Sequence, residues 1–338
     1  MAPRKPPRAP KVNTGKPGRP AGSRYTGSRA GSRAGASDAP GKRTARPVAK
    51  RATSGRTATG PSAGRSSSRA GGARDARAPK RAAPVAKGLG GEQIEGRQAV
   101  RELLIGQKRK VKEIWFASDI DPAPILDDIE QIAHAARVPI MEVARRRLEE
   151  TARSEAPQGV IAFAQPLEEA SFADMLRTRN GVAPFLVAVD GVTDPGNLGA
   201  LLRCCDGAGV TGVVLPKHRA VHVTPTVAKS SAGAVEHVPM TLVSGLPTAI
   251  QQMRDKGIWV VGLDDSSRET LFDIGKLANE GICIVLGAEG AGLSRLVKER
   301  CDAIVGIPML GQVSSLNVSA AAALATYEVT RVRLANRA

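Results

Sequence analysis

An α/β architecture is what these 338 residues predict: a mostly parallel sheet covered on both faces in the C-terminal half, a smaller α/β unit before it, and a basic tail without a core. Three observations predict it. From residue 91 onward, short apolar runs alternate with stretches of helical periodicity, the pattern of strands separated by helices. Several later runs, PFLVAVD and ICIVLG among them, are apolar almost throughout, as strands buried on both faces are. Residues 1–88 show neither pattern.

The tail carries the charge. Residues 1–88 hold 22 Lys and Arg against Asp38 and Asp75, a net charge of +20, so the other 250 residues sum to −3. Tyr25 is its one aromatic, and it contains 11 Pro and 13 Gly. Such a segment buries too little apolar surface to offset its ordering entropy and is expected to be disordered. As a polycation it can release counterions from nucleic acid, which gives affinity without sequence choice. The plainer role is a solubilising extension.

Residues 91–164 read as a compact α/β unit. EGRQAVRELLIG places Ala99, Val100, Leu103 and Leu104 at helical spacing. KVKEIWFA reads as a strand, ILDDIEQIAHAARV as an amphipathic helix, PIMEV as a strand, RRRLEETA as a helix and QGVIAFA as a closing strand. Residues 165–183 read as a linker, and 184–338 as the second unit. There PFLVAVD, GVVLP, HVPMTLV, IWVVGLD, ICIVLG and AIVGIP are strand candidates, and the chain ends in a long Ala-rich helix.

Several classes are disfavoured. Cys204, Cys205, Cys283 and Cys301 have no C-x-x-C spacing and no His partner motif, so neither a zinc site nor a disulfide framework is suggested. They read as free thiols, with Cys204 and Cys205 as small packing residues. No apolar run approaches the roughly 20 residues of a membrane span. The N-terminus has no apolar signal core, and its Pro and Gly content opposes the amphipathic helix of a transit peptide. A cytoplasmic protein that uses no metal is the expectation.

Three segments follow strands and mix Gly with polar groups, and the carboxyl ends of parallel strands are where such sheets bind ligands. The first is DGVTDPGNLGALLRCCDGAGV, with Asn197 in a loop or first helical turn and Arg203 further along the helix. The second is IVLGAEGAGLS, a loop of Gly287, Gly290 and Gly292 that contains Glu289. It is not G-x-G-x-x-G, which weakens a dinucleotide reading. The third is IPMLGQVSSLNVSAAAA, where Ser314 or Ser315 can equally serve as a helix cap. Taken alone, Arg203 reads as a surface cation. His134, His218, His222 and His237 all lie outside the three segments.

Together, N-L-x-x-x-x-R, the strand followed by G-A-E-G, and I-P-M…S-S-L-N-V-S resemble the SpoU (TrmH) class of SPOUT RNA methyltransferases, over residues 92–338. The small unit, with the D-G-V-T-D-P-x-N-L-G wording, is most similar to the branch that methylates guanosine 2′-hydroxyls in bacterial 23S rRNA. Where rRNA relatives often write His-Gln-Gly before the closing strand of that unit, this chain has Pro157, Gln158 and Gly159.

The resemblance implies a trefoil-knotted methyltransferase domain, an RNA-substrate-binding domain, a homodimer closed in part by the last helix, and S-adenosylmethionine as cofactor. Cofactor contacts carry over to Gly287, Ile307, Met309, Ser315 and Leu316. The catalytic set carries over to Asn197, Arg203, Glu289, Ser315 and Asn317. Arg203 is expected to bind a phosphate and steady charge on the 2′-oxygen, because a guanidinium stays protonated. Other targets, tRNA or a second rRNA site, and a non-catalytic ribosome-assembly factor on the same fold are the alternatives.

Overall fold

The computed structural model describes residues 88–218, 221–288 and 290–336. Apart from Gly88, the basic tail lies outside them, as does Glu289.

The first sheet has four strands, β1 (Gln93–Glu95), β2 (Val111–Ala117), β3 (Ile140–Val143) and β4 (Val160–Ala164), in the order β1-β4-β2-β3. β4 runs antiparallel to both β1 and β2, and β3 runs parallel to β2. Strand alternation feeds two cores from β2: Ile114 and Phe116 enter one, Trp115 and Ala117 the other. Helices α1 (Arg97–Gly106) and α2 (Pro124–Ala135) cover the first face. The four apolar positions expected of α1 are its buried ones. Helix α3 (Arg145–Thr151) covers the second face with Leu148, and Arg147 lies 4.8 Å over the Trp115 ring.

β1 was not expected. It stands where the sequence pattern suggests only the approach to α1, because Gln93 and Glu95 look like surface residues. Both are buried, and Glu95 is fully so. A buried carboxylate is tolerated only when its lone pairs are satisfied. Glu95 accepts from Gln93 Nε2 at 2.8 Å, Arg153 N at 2.6 Å, Ser154 N at 2.9 Å and Ser154 Oγ at 2.5 Å.

The second sheet is all parallel: β5 (Phe185–Asp190), β6 (Gly212–Pro216), β7 (Met240–Val243), β8 (Trp259–Leu263), β9 (Ile282–Gly287) and β10 (Ala303–Val305), in the order β10-β8-β9-β5-β6-β7. Both faces are covered, as the apolar runs require. Phe185, Val187, Ile282 and Ile284 face the core shared with α5 (Pro195–Gly207), α9 (Val318–Ala335) and a 3-10 segment, Leu271–Asn279. Leu186, Ala188, Cys283 and Val285 face the core shared with α7 (Leu246–Asp255) and α8 (Arg295–Arg300). The 165–183 segment is not a bare tether: α4 (Phe172–Met175) sits in it, and Met175 and Leu176 are buried in the α7 core. Among the described residues, no helix is long and apolar enough to cross a membrane.

The α9 register is fixed at its far end. Arg333 donates through Nε to the Ala278 carbonyl at 2.7 Å and through Nη2 to the Pro184 and Glu280 carbonyls at 3.1 and 2.8 Å. The small Ala322 and Ala325 of α9 are buried inside the chain, and Leu324, Tyr327 and Leu334 form its exposed apolar face.

The two sheets are joined by polar contacts. Arg109, just before β2, donates through Nε and Nη2 to the carboxylate of Glu236 at 3.0 and 2.5 Å, and through Nη1 to the Gly91 and Gln165 carbonyls at 2.5 Å. The paired side chains are 4% and 2% exposed. His237 Nε2 lies 2.9 Å from Glu102 Oε2, and Lys108 Nζ donates to the His237 carbonyl at 3.1 Å. Removing one member of a buried pair strands the other charge, so Arg109→Ala is expected to cost about 3–5 kcal/mol in urea unfolding. A loss below about 1 kcal/mol, the scale of an exposed pair, would show that the contact does not hold the halves together.

Candidate functional site

The carboxyl end of β5 leads through a short loop into α5. Asp194 caps that helix by accepting from Asn197 N at 2.7 Å, and Pro195 takes the first helical position, where its missing N–H costs nothing. α5 therefore starts two residues before Asn197, which lies half-buried in the first turn. Arg203 follows six residues on, about 9 Å along the axis, and is exposed on α5.

β9 ends in a tight loop. Ala288 and Gly292 exchange backbone hydrogen bonds at 3.1 and 2.9 Å. A Cβ on Gly287 would sit 2.2 Å from the carbonyl carbon of Gly292, so only glycine fits there. Asp190, at the end of β5, accepts from Ser294 N at 2.7 Å and ties this loop to the neighbouring strand.

After β10 at the sheet edge, residues 306–317 return across the ends of β8 and β9 to α9, which packs on α5 and the 3-10 segment. Asn317 closes this return. Its Oδ1 caps α9 by accepting from Ser319 N at 2.9 Å and Ser319 Oγ at 2.5 Å. Its Nδ2 donates to Asn197 Oδ1 at 2.9 Å. The side chains of two segments 120 residues apart thus meet at one hydrogen bond. The cap on α9 is therefore Asn317, not Ser314 or Ser315.

Between these loops lies a cavity of about 390 Å³, within the range of small-molecule sites. All five expected cofactor residues, Gly287, Ile307, Met309, Ser315 and Leu316, line it. Arg203, Asn197 and Asn317 are not among the lining residues, although Leu316 and Val318 on either side of Asn317 are. The lining combines apolar groups with exposed backbone and hydroxyls, a donor set that suits a ligand with an apolar ring and polar ends.

Sequence reasoning missed part of this cavity. Asp264, Asp265, Ser266 and Lys298 also line it. Lys298 Nζ lies 2.6 Å from Asp264 Oδ2, and Ser266 donates to Asp264 through N at 3.1 Å and through its hydroxyl. Burial pushes the Asp264 carboxyl up, but the bonds from Lys298 and Ser266 outweigh it and hold the group below the ordinary aspartate value. The available signal was position: these acids follow the strand IWVVGL, at the carboxyl end where ligands bind.

The cysteines take no part in the cavity. Burial pushes the Cys205 and Cys283 thiols far up, and that of Cys301 to about 12, so none supplies a thiolate near neutral pH. Among the described residues, no group of three or more His, Cys, Asp or Glu could hold a metal ion.

Comparison with known proteins matches this arrangement. Residues 184–327 match the SpoU rRNA Methylase family, and residues 93–170 match the RNA 2′-O ribose methyltransferase substrate-binding family. The 23S rRNA (guanosine-2′-O-)-methyltransferase RlmB of Pseudomonas aeruginosa is 38% identical over 72% of this chain and 97% of its own. YacO of Bacillus subtilis, named only to the level of a TrmH family tRNA/rRNA methyltransferase, is 38% identical over 72% of this chain and 96% of its own. In three dimensions the chain is similar to the SpoU methyltransferase AviRb of Streptomyces viridochromogenes, crystallised with the cofactor AdoMet. The TM-score is 0.60 at 26% identity, covering 72% of this chain and 90% of that one. With both halves matched and the strand-end loops in place, the chain belongs to the SpoU rRNA methylase family of RNA 2′-O-ribose methyltransferases.

Proposed function

We propose that this chain methylates a ribose 2′-hydroxyl of RNA with S-adenosylmethionine, and that its target is a guanosine of 23S rRNA. The observation that carries the reading is the cavity at the ends of β8 and β9, where Gly287, Ile307, Met309, Ser315 and Leu316 converge beside the Asn197–Asn317 bond. The 23S guanosine target is supported by RlmB, whose likeness runs the length of both halves. YacO, named for tRNA or rRNA, keeps tRNA as the competing target.

The cavity fits the cofactor on its own chemistry: Ile307, Met309 and Leu316 offer an apolar wall for a ring, and the Gly287 loop and Ser315 offer polar backbone and hydroxyl groups. When bound, S-adenosylmethionine supplies an electrophilic methyl group. The chain's part is to position the ribose and stabilise the oxygen that attacks. Asn317, fixed by its role as the α9 cap, holds the Asn197 amide in one orientation toward the ribose. Arg203, exposed on α5, binds the adjacent phosphate and stabilises negative charge developing on the 2′-oxygen. The phosphate helps take the proton, since a guanidinium does not act as a base. Glu289, carried over to the catalytic set by the family motif, lies outside the described residues. No step calls for a metal ion.

The knotted connection belongs to the same reading and is supported by the return of residues 306–317 from edge strand β10 to α9. A homodimer is supported by exposed Leu324, Tyr327 and Leu334 on α9 and by Leu310, which is 98% exposed. A cytoplasmic location completes the proposal.

Mapping 2′-O-methyl groups in 23S rRNA and tRNA from cells with and without the protein tests the target. Loss at one 23S guanosine is expected; loss only in tRNA would move the target, and no loss anywhere would remove the enzymatic reading. For Arg203, the check is single-turnover methylation of rRNA at saturating cofactor. Arg203→Ala is expected to slow it roughly 100- to 1,000-fold while cofactor affinity holds. Arg203→Lys recovers only part, because an ammonium cannot reproduce the planar fork. Near-unchanged turnover in Arg203→Ala would overturn this role.

A further inference from the structure

A second cavity, of about 340 Å³, lies away from the cofactor cavity in the substrate-binding half and is lined by Arg97, Ile120, Asp121, Arg145 and Gln158. Its walls are held in place. Asp119 accepts from Arg145 Nε through both carboxylate oxygens at 2.8 Å, and its carbonyl accepts from Arg145 Nη2 at 3.1 Å. Arg97, the first residue of α1, donates through Nε to the Gln158 carbonyl at 3.3 Å. Gln158 Oε1 accepts from Arg97 N at 3.1 Å, capping a helix whose own N-cap, Gly96, has no side chain.

The backbone at this cavity is strained. Gln158 has φ 57°, a left-handed conformation unusual for a residue with a Cβ, and Gly159 follows at φ 73°. Ile120 Cδ1 lies 2.7 Å from where a Cβ on Gly159 would be, so it clamps the loop from above. Such a conformation persists only where the surrounding structure holds it, and conformations of this kind cluster at ligand clamps and active sites.

The chemistry of the walls selects a ligand. Two guanidinium groups face two carboxylates, Asp119 and Asp121, so the local charge balances and a bare anion gains little. Asp121 acts electrostatically on Arg145 and forms no ion pair among the described residues. An arginine beside an available carboxylate, with an apolar wall, matches a planar ligand with adjacent donors and acceptors. Guanine has that edge: N1–H and N2–H can donate to one carboxylate, and O6 and N7 accept from a guanidinium. A splayed, unpaired base can stack on guanidinium planes and read such groups.

Resting on the reading above that the substrate is RNA, we propose that this cavity holds an unpaired guanine of the RNA, read by Asp121 and Arg145. The fold ties it to the reacting site. Lys229 Nζ on α6 (Pro225–Ser230) donates to the Ala156 carbonyl at 2.6 Å, anchoring the Gln158 loop. Ser230 Oγ of the same helix, which donates to the Thr226 carbonyl at 2.7 Å, also lies 3.3 Å from the carbonyl oxygen of Pro195, two residues before Asn197. A Cβ on Gly199 of α5 would collide with Ser230, so α5 and α6 touch at that point. A guanine held at Asp121 therefore sets which ribose along the strand reaches the Asn197–Asn317 pair.

The test uses the full chain and fluorescein-labelled single-stranded hexanucleotides, one carrying a single guanine among uridines and one all uridine, read by anisotropy at fixed salt. Wild type is expected to prefer the guanine strand, and Asp121→Asn to lose that preference roughly tenfold while binding all-uridine RNA as before. Arg145→Gln, at the exposed start of α3, is expected to do the same and serves should Asp121→Asn fail to fold. No preference in wild type, or full preference kept in both variants, overturns the proposal. S-adenosylmethionine titrated into the same preparations separates the two claims. Guanine preference without cofactor binding supports the cavity and removes the methyltransfer reading. Cofactor binding without guanine preference removes the cavity alone.

Discussion

One carboxamide organises this protein. Asn317 spends its oxygen on the first turn of α9 and its nitrogen on Asn197, in the first turn of α5. The two ends of that amide are chemically different, so it can be satisfied in one orientation only. It fixes the last loop of the chain against the first loop of the catalytic half, and the 306–317 segment between sheet edge and helix must follow. The cavity lined by Gly287, Ile307 and Leu316 is the space that this return encloses. The cap is also the reason α9 begins where it does, with Leu316 and Val318 on either side of Asn317 turned to the cavity wall.

A parallel sheet buried on both faces makes that arrangement possible. Every strand must end in a loop on the same side, and with β9 between β8 and β5 the loops of three strands gather at one place. Backbone groups there are exposed by geometry, so glycines and small polar residues are what the sequence supplies. The smaller sheet is then held to the larger by Arg109 and Glu236. A buried pair of this kind contributes orientation more than stability, since desolvation of both charges offsets much of their attraction. The four hydrogen bonds of Arg109 reach three residues on three separate segments, Gly91, Gln165 and Glu236, which specifies one placement of the two sheets.

Much of this was legible in the sequence, for physical reasons. Strands buried on both faces cannot hide, and PFLVAVD and ICIVLG read directly as β5 and β9. The residues that line the cavity at the ends of β8 and β9 were legible because close backbone approach demands glycine, and the order of the three loops is specific. Less was legible where tertiary partners override local character. Gln93 and Glu95 look exposed until Arg153 and Ser154, nearly 60 residues on, supply donors. Arg109 looks like any loop cation until Glu236 is beside it. The last helix reads in the sequence either as core or as a dimer face, and α9 has residues for both: Ala322 and Ala325 are buried inside the chain, while Leu324, Tyr327 and Leu334 are exposed. Asp264 and Lys298 went unnoticed because a charged pair in a strand-end loop has no periodicity.

The claim that one hydrogen bond couples the two loops is tested most directly by a double-mutant cycle on Asn197 and Asn317, read by single-turnover methylation of the RNA that the chain modifies, at saturating cofactor. Residues in one hydrogen-bonded unit show interaction energies of about 0.5–3 kcal/mol, whereas independent sites add. The predicted result is that Asn197→Ala and Asn317→Ala together slow methylation far less than the product of their separate effects. Strict additivity, with both single variants folded and binding cofactor, would contradict it.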